Sequence, residues 1–432
     1  MLWDYHVIKY MQSATNILFK LKGSVLAKDS FWSVFGNGVG NFFLLMGGVL
    51  IARLLGKDLY GEYGMVKTTM FYIAGFASFG LSYSSTKFIA EKLNETKEAI
   101  NAVIFSSLKI ALSFSILLCV LLFLFSHQIA LFVEEPRLAL PFKYLGVIIV
   151  LRALANTLNG LLGGFKQYKR IGINSIISGS TLFILGAIFT YIWGIIGSFA
   201  ALMSSQLVLC VLNSFVLRNE SKKYPSKGSD YTNAILKFSL PVAIQELFFV
   251  ICNWGVMLVL TKYATLGDVG IYSAAAQWYA VVLFIPTLLS NVVLSYLSSI
   301  NKDKKHYERL FNKLLLINII CSIIPCFFVF LFSGVISSFY GNEFEELQGV
   351  LNILILGTVF ACAAGVCQSD YLARNKNWLL AFIRLIRDAL ILSSLYIALR
   401  HDAANAAYKL AVINTSVYFV YFMMLFVSKR IS

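Results

Sequence analysis

The residues with chemistry to offer are a few charges set inside long apolar stretches. Arg152 lies near the midpoint of one stretch, and Arg152, Asn156 and Asn159 recur at i, i+4 and i+7, one face of a helix. A guanidinium at mid-bilayer depth costs about 3 kcal/mol to insert, so it is expected to face a cavity or a partner. This polar face reads as cavity lining; the alternative is a hydrogen-bonded seam between helices, a common use of Asn in membranes. Arg384, Arg387 and Asp388 form a second group. Arg384 and Asp388 stand at i and i+4 and are expected to pair, which leaves Arg387 with positive charge to offer. Glu246, beside Gln245, follows Pro241 by five residues, and a proline there removes a helix hydrogen bond and favours a kink. An ionisable group beside a bent helix suits a gated site, so Glu246 and Asp388 are candidates for coupling to ion movement. For Glu246 the alternative is a structural ion pair.

Lys67 lies about one turn inside its stretch, and Ser33, Asn37 and Asn41 recur at i, i+4 and i+8 beside Gly36, Gly38 and Gly40. Lys67, Asn37 and Asn41 join the candidate cavity lining, although the glycine-rich segment also fits a packing seam. Lys143 and Lys237 sit within a turn of a helix end, where their stems reach the interface. No catalytic constellation accompanies these charges. The four histidines form no cluster, the seven cysteines make no CxxC or Cys/His pattern, and no GxxxxGK[ST] loop is present. No enzyme activity, cofactor or metal is therefore expected.

The elements that must position these groups are membrane helices. A bilayer core about 30 Å thick takes roughly 20 apolar residues to cross, and in lipid the backbone must satisfy itself within the segment. Twelve stretches of that kind occur near 31–52, 63–88, 100–126, 140–163, 171–192, 195–217, 235–260, 272–297, 310–332, 347–370, 378–399 and 404–427. Hydrophobic residues make up 59% and charged residues 13%, against about 25% charged in soluble domains, and the mean hydropathy is +0.76. The expected fold is an all-α polytopic membrane protein with twelve transmembrane helices. It divides into a cytoplasmic or interfacial segment (1–30), a six-helix lobe (31–217), a linker (218–234), a second six-helix lobe (235–427) and a tail (428–432).

The net charge of +15 does not point to nucleic acid, because the basic residues sort by loop parity. Alternate loops and both termini hold 23 Lys and Arg, and the opposite loops hold five: Arg53, Lys57, Arg137, Lys262 and Arg400. That bias places both termini in the cytoplasm. The halves also resemble each other at an offset of roughly 205–210 residues. Leu55-Gly56-Lys57-Asp58-Leu59-Tyr60-Gly61-Glu62-Tyr63 parallels Leu266-Gly267-Asp268-Val269-Gly270-Ile271-Tyr272, and the basic loop Lys166–Arg170 parallels Arg374–Lys376. Six helices per half in one orientation mean a parallel repeat, with a cavity between the lobes.

The run Gly47-Gly48-Val49-Leu50-Ile51-Ala52-Arg53-Leu54-Leu55-Gly56-Lys57-Asp58-Leu59-Tyr60-Gly61-Glu62-Tyr63 resembles the end of the first helix and first loop of bacterial polysaccharide transporters of the O-antigen flippase type. They belong to the superfamily of multidrug extruders and oligosaccharidyl-lipid flippases. The resemblance implies two lobes around a central cavity. It also implies movement of undecaprenyl-pyrophosphate-linked oligosaccharide across the bacterial inner membrane, with membrane lipids, a polymerase and other polysaccharide-assembly proteins as partners. The two further helices of the peptidoglycan-precursor flippases are absent. Independently, the excess of basic over acidic groups within the spans suits an anionic substrate. The competing expectation is an ion-coupled multidrug or small-solute antiporter of the same superfamily, for which an acidic cavity is expected.

Overall fold

The computed structural model describes residues 25–78, 80–94, 97–132, 134–225, 230–299, 304–374 and 376–431. Among the described residues there are helices and no strands. They are α1 (Val25–Ala77), α2 (Leu81–Asn94), α3 (Ile100–Phe132), α4 (Ala139–Gly164), α5 (Tyr168–Ser221), α6 (Thr232–Tyr263), α7 (Leu266–Ser299), α8 (Lys304–Leu331), α9 (Ser333–Tyr340), α10 (Leu347–Ala373), α11 (Asn377–His401) and α12 (Ala406–Ile431).

Among the described residues, seven helical segments are each long and apolar enough to cross a membrane. Two of these, of 44 and 54 residues, have about twice the length one crossing needs. Each of those helices is broken at one glycine, α1 at Gly56 (φ 74°) and α5 at Gly194 (φ 58°). Only a residue without a Cβ adopts such a φ freely, so one glycine turns the chain back where an ordinary loop needs several residues. Sequence reading places a loop at 53–62; helix instead continues to either side of Gly56. A second difference falls in the expected span 63–88. Helix stops at Ala77 and restarts at Leu81, and the Ser78 hydroxyl donates to the Gly75 carbonyl at 2.7 Å. With α6, α7 and α11, and with α2 continuing the second arm of α1, the layout is compatible with twelve crossings.

The connections alternate between two ends of the bundle. At the hairpin end, carrying Gly56 and Gly194, Lys262 meets Glu134 at 2.8 Å, and the Ala407 amide donates to Asp268 at 3.2 Å. At the opposite, linker end, Asn101 donates to the carbonyls of Tyr224 and Pro225 at 2.9 and 3.1 Å. There also Glu308 holds Lys429 at 2.9 Å and Arg374 at 3.4 Å.

The cores follow the same division. Two packed clusters lie toward the linker end. One is built from α2 to α5 with Ile235 of α6, and the other from α7, α8 and α10 to α12. The largest cluster joins both halves, with Tyr60 and Tyr63 packed among Tyr272, Tyr340 and Phe344. The fold is thus two helical groups around a central cavity, sealed to each other toward the hairpin end.

The start of α6 is tied to the first half. Asp230 accepts hydrogen bonds from the Thr232 amide at 2.9 Å and the Ser106 hydroxyl of α3 at 3.0 Å. Hydrogen bonds from the Thr232 hydroxyl, then from its amide and Ser106, hold this carboxyl below the usual aspartate range. A depressed carboxyl contributes stability above its unfolded pKa of about 4 and loses it as pH falls through the folded value. Amide exchange at Thr232–Ile235, corrected for intrinsic rates, is therefore expected to rise below about pH 4. Asp230→Asn should show the raised exchange at neutral pH, and equal exchange in both proteins would count against the tether.

Candidate functional site

The seam between the halves is built on the repeat. A Cβ at Gly61 would strike the Leu266 carbonyl, and one at Gly270 would strike the Lys57 carbonyl. The pairs 61/270 and 57/266 are related by one offset of 209, so the contact is reciprocal about a local two-fold axis. One turn further on, a Cβ at Gly64 would sit 2.7 Å from Ser273 Cβ, again its own repeat partner. Small residues let the backbones of α1 and α7 approach here as no larger side chain would allow.

The α8–α10 connection covers this seam. The chain there folds into α9 and a tight turn, Asn342–Phe344, instead of the plain loop that sequence suggests. Phe344 is fully buried, 5.9 Å from the Tyr60 ring, and the Trp278 indole donates to Tyr340 Oη at 3.1 Å. Glu343 accepts from the Lys57 amide at 2.9 Å. Lys57 opens the second arm of α1 just after the Gly56 break, so an acid from the second half caps a helix of the first.

Beneath the seam, away from the hairpin end, lies a cavity of about 380 Å³. The second arm of α1 supplies Tyr60, Lys67, Phe71 and Tyr72; α6, α7, α11 and α12 supply Asn253, Gln277, Asp388 and Tyr418 among others. Among the described residues two charged side chains line it, Lys67 and Asp388. Asp388 is already matched, 2.7 Å from Arg387. The Lys67 ammonium meets a neutral partner, donating to Gln277 Oε1 at 3.2 Å, 5.8 Å from the Tyr63 ring centre. Around them, the Tyr279 hydroxyl and Asn414 Oδ1 are buried without a hydrogen-bond partner among the described residues. The arrangement offers an anion one ammonium and offers hydroxyl-rich groups a set of tyrosines and amides.

The expected site residues separate. Lys67 and Asp388 both line the cavity, each with its own partner. Arg152 stands one ring behind it: its guanidinium lies 4.9 Å from the centre of the Phe71 ring, a lining residue, and donates to Gln206 Oε1 at 3.3 Å. Asn159 belongs to a seam, accepting from Asn213 at 2.9 Å while Asn174 donates to Asn213 at 2.8 Å. Asn156 is half-buried on α4. Asn37 accepts from the Ser175 hydroxyl at 2.9 Å, binding α1 to α5. Asn41 is exposed on the face of α1 that carries Gly38 and Gly48, which approach Phe284 and Gln277 of α7. The side chains of Pro241, Gln245 and Glu246 lie outside the described residues.

The expected Arg384–Asp388 pair does not form. Asp388 pairs with its neighbour Arg387, which is also held over the rings of Tyr421 and Tyr418 at 4.9 and 5.4 Å. Arg384 turns to Gln368. Sequence reasoning missed Gln277, a neutral amide in an apolar helix. A signal for it exists: Gly270, Ser273 and Gln277 form an i, i+3, i+7 stripe, and the repeat offset carries Thr68 onto Gln277.

Known proteins resemble the chain along most of its length. The putative O-antigen transporter of Shigella flexneri is 25% identical over 385 residues, 86% of this chain and 90% of the relative. Among solved structures, the inward-facing conformation of a multidrug resistance MATE family transporter of the MOP superfamily superposes with a TM-score of 0.78 at 15% identity. It covers 91% of this chain and 94% of that one. The inward closed conformation of the lipid II flippase MurJ superposes with a TM-score of 0.70 at 18% identity, covering 94% and 88%. At these identities the structures establish the fold. The sequence model of polysaccharide biosynthesis proteins matches residues 26–301, well over half of the chain, and the protein is a multi-pass membrane member of that polysaccharide biosynthesis family.

Proposed function

We propose that the protein carries an undecaprenyl-pyrophosphate-linked oligosaccharide across the bacterial inner membrane by alternating access, with the linker end in the cytoplasm and the diphosphate held at Lys67. The observation that carries this reading is the charge of the cavity among the described residues: Asp388 is neutralised by Arg387, and the Lys67 ammonium meets a neutral amide and an aromatic ring. A charged phosphoryl oxygen is a stronger acceptor than an amide oxygen. The 380 Å³ volume is small for a glycan and suits the head group, with lipid and distal sugars reaching outward. Arg152, behind Phe71, adds positive potential without contact. The segments 31–217 and 235–427 are the rocking bodies, and Glu246 remains a candidate for coupling the cycle to an ion gradient.

The test is transport of a fluorescent undecaprenyl-pyrophosphate-linked glycan in proteoliposomes, beside extrusion of a cationic dye. Lys67→Ala should lower glycan transport about 10- to 100-fold, the worth of a hydrogen bond to a charged group. Lys67→Arg should restore part of it. Dye extrusion without glycan transport would replace this reading with the multidrug antiporter.

A further inference from the structure

Gln277 is clasped by three residues of α1. Its Oε1 accepts from Lys67, its Nε2 donates to the Tyr60 hydroxyl, and its amide packs so tightly on Gly48 that a Cβ there would strike it. Both arms of α1 are thereby joined to α7 at the cavity edge of the seam. We propose that the Lys67–Gln277 hydrogen bond is a latch between the halves, and that the anion bound at Lys67 releases it. The proposal rests on the reading of Lys67 as the diphosphate anchor.

Symmetry singles out this contact. The seam is two-fold at Gly61/Gly270 and Gly64/Ser273, but the offset of 209 carries Lys67 onto Ala276 and Thr68 onto Gln277. The mirror contact would join Thr68 and Ala276, which cannot make the same bond. The two-fold pattern therefore fails at the layer where the seam meets the cavity, and the residue that breaks it is charged.

The energetics favour release. A 3.2 Å bond from an ammonium to a neutral amide is long for a charge-assisted contact. A phosphate ester or diphosphate offers several charged oxygens to the same three N–H donors. Once the ammonium turns to them, Gln277 Oε1 loses its partner, and a buried unpaired acceptor destabilises the closed arrangement. The anion then favours the state in which the halves part, as a ligand shifting a conformational equilibrium must. The empty carrier stays latched and the loaded one opens, so cycling without cargo is suppressed.

The experiment uses the full chain in nanodiscs, with spin labels introduced through unnatural amino acids at Tyr191 and Ala404, exposed positions at the hairpin end of each half. Inorganic pyrophosphate is the ligand. In the unmodified protein it should bind and lengthen the distance between the labels. Gln277→Ala should show the long distance without ligand, with the open-to-closed ratio raised about tenfold, and should still bind pyrophosphate. Gln277→Glu, which gives Lys67 a carboxylate, should keep the short distance and weaken pyrophosphate binding about tenfold. If the unmodified protein binds pyrophosphate but both variants show its distances with and without ligand, the latch is wrong and the anchor stands. If the unmodified protein ignores pyrophosphate, the anchor is wrong and the latch falls with it.

Discussion

Gly61→Leu is expected to hold the hairpin end open and stop transport while leaving the protein inserted. The Cβ would meet the Leu266 carbonyl, which is backbone and cannot swing aside, and the rest of the side chain has nowhere to go in the closed arrangement. Overpacking costs up to about 3 kcal/mol, which is more than a hundredfold in the open-to-closed ratio. The penalty applies only while α1 and α7 touch, so each half keeps its own packing. Ser273 reports the change, being 6% exposed at the seam. In a background freed of native cysteines, Ser273→Cys should react slowly with an impermeant maleimide added on the hairpin side, and quickly once Gly61→Leu is present. The two-fold axis adds a constraint: Gly270→Leu, which meets the Lys57 carbonyl, should match it. Slow labelling in both would mean that the seam yields elsewhere.

The second large effect is expected at Arg387 and Asp388. Their side chains are 10% and 12% exposed and 2.7 Å apart. Removing one partner of a buried pair leaves an uncompensated charge and costs about 3–5 kcal/mol. Asp388→Ala and Arg387→Ala should therefore each lower thermal stability in detergent sharply, whereas the double variant Arg387→Met/Asp388→Leu should recover most of the loss. The cost to Asp388→Ala is tempered by Tyr418 and Tyr421, whose rings face the guanidinium. Additive losses in the double variant would show that the two charges act separately.

The apolar stretches, the alternation of loops and the repeat were all legible in the sequence, because lipid imposes length and backbone satisfaction on every crossing. The Gly-x-Tyr motifs marked the repeat, and the structure sets them face to face across the seam at Gly61 and Gly270. Pairing between side chains was less legible. Arg384 and Asp388 have the spacing of a helical pair, but an arginine is long enough to fold back on its neighbour when aromatic rings line the way, and Arg387 does so. Asn159 shared a face with Arg152 yet serves a seam, since period alone does not say which neighbour a face meets. Gln277 escaped notice for a simpler reason. Charge stands out against an apolar background, whereas a neutral amide matters only through the residues that surround it.

The breaks at Gly56 and Gly194 bear on how the chain enters the membrane. Each joins two crossing-length arms through one residue, so the tip that crosses is short: Arg53, Lys57 and Asp58 around Gly56, and no charged residue around Gly194. Such a pair is expected to enter the bilayer together, as a closed helical hairpin whose tip crosses in one movement. Gly194 has no neighbour within 4 Å of where a Cβ would be, so its left-handed φ, not crowding, is what calls for glycine there. An error there would first appear during synthesis, as a second arm stranded on the wrong side, before any transport had begun.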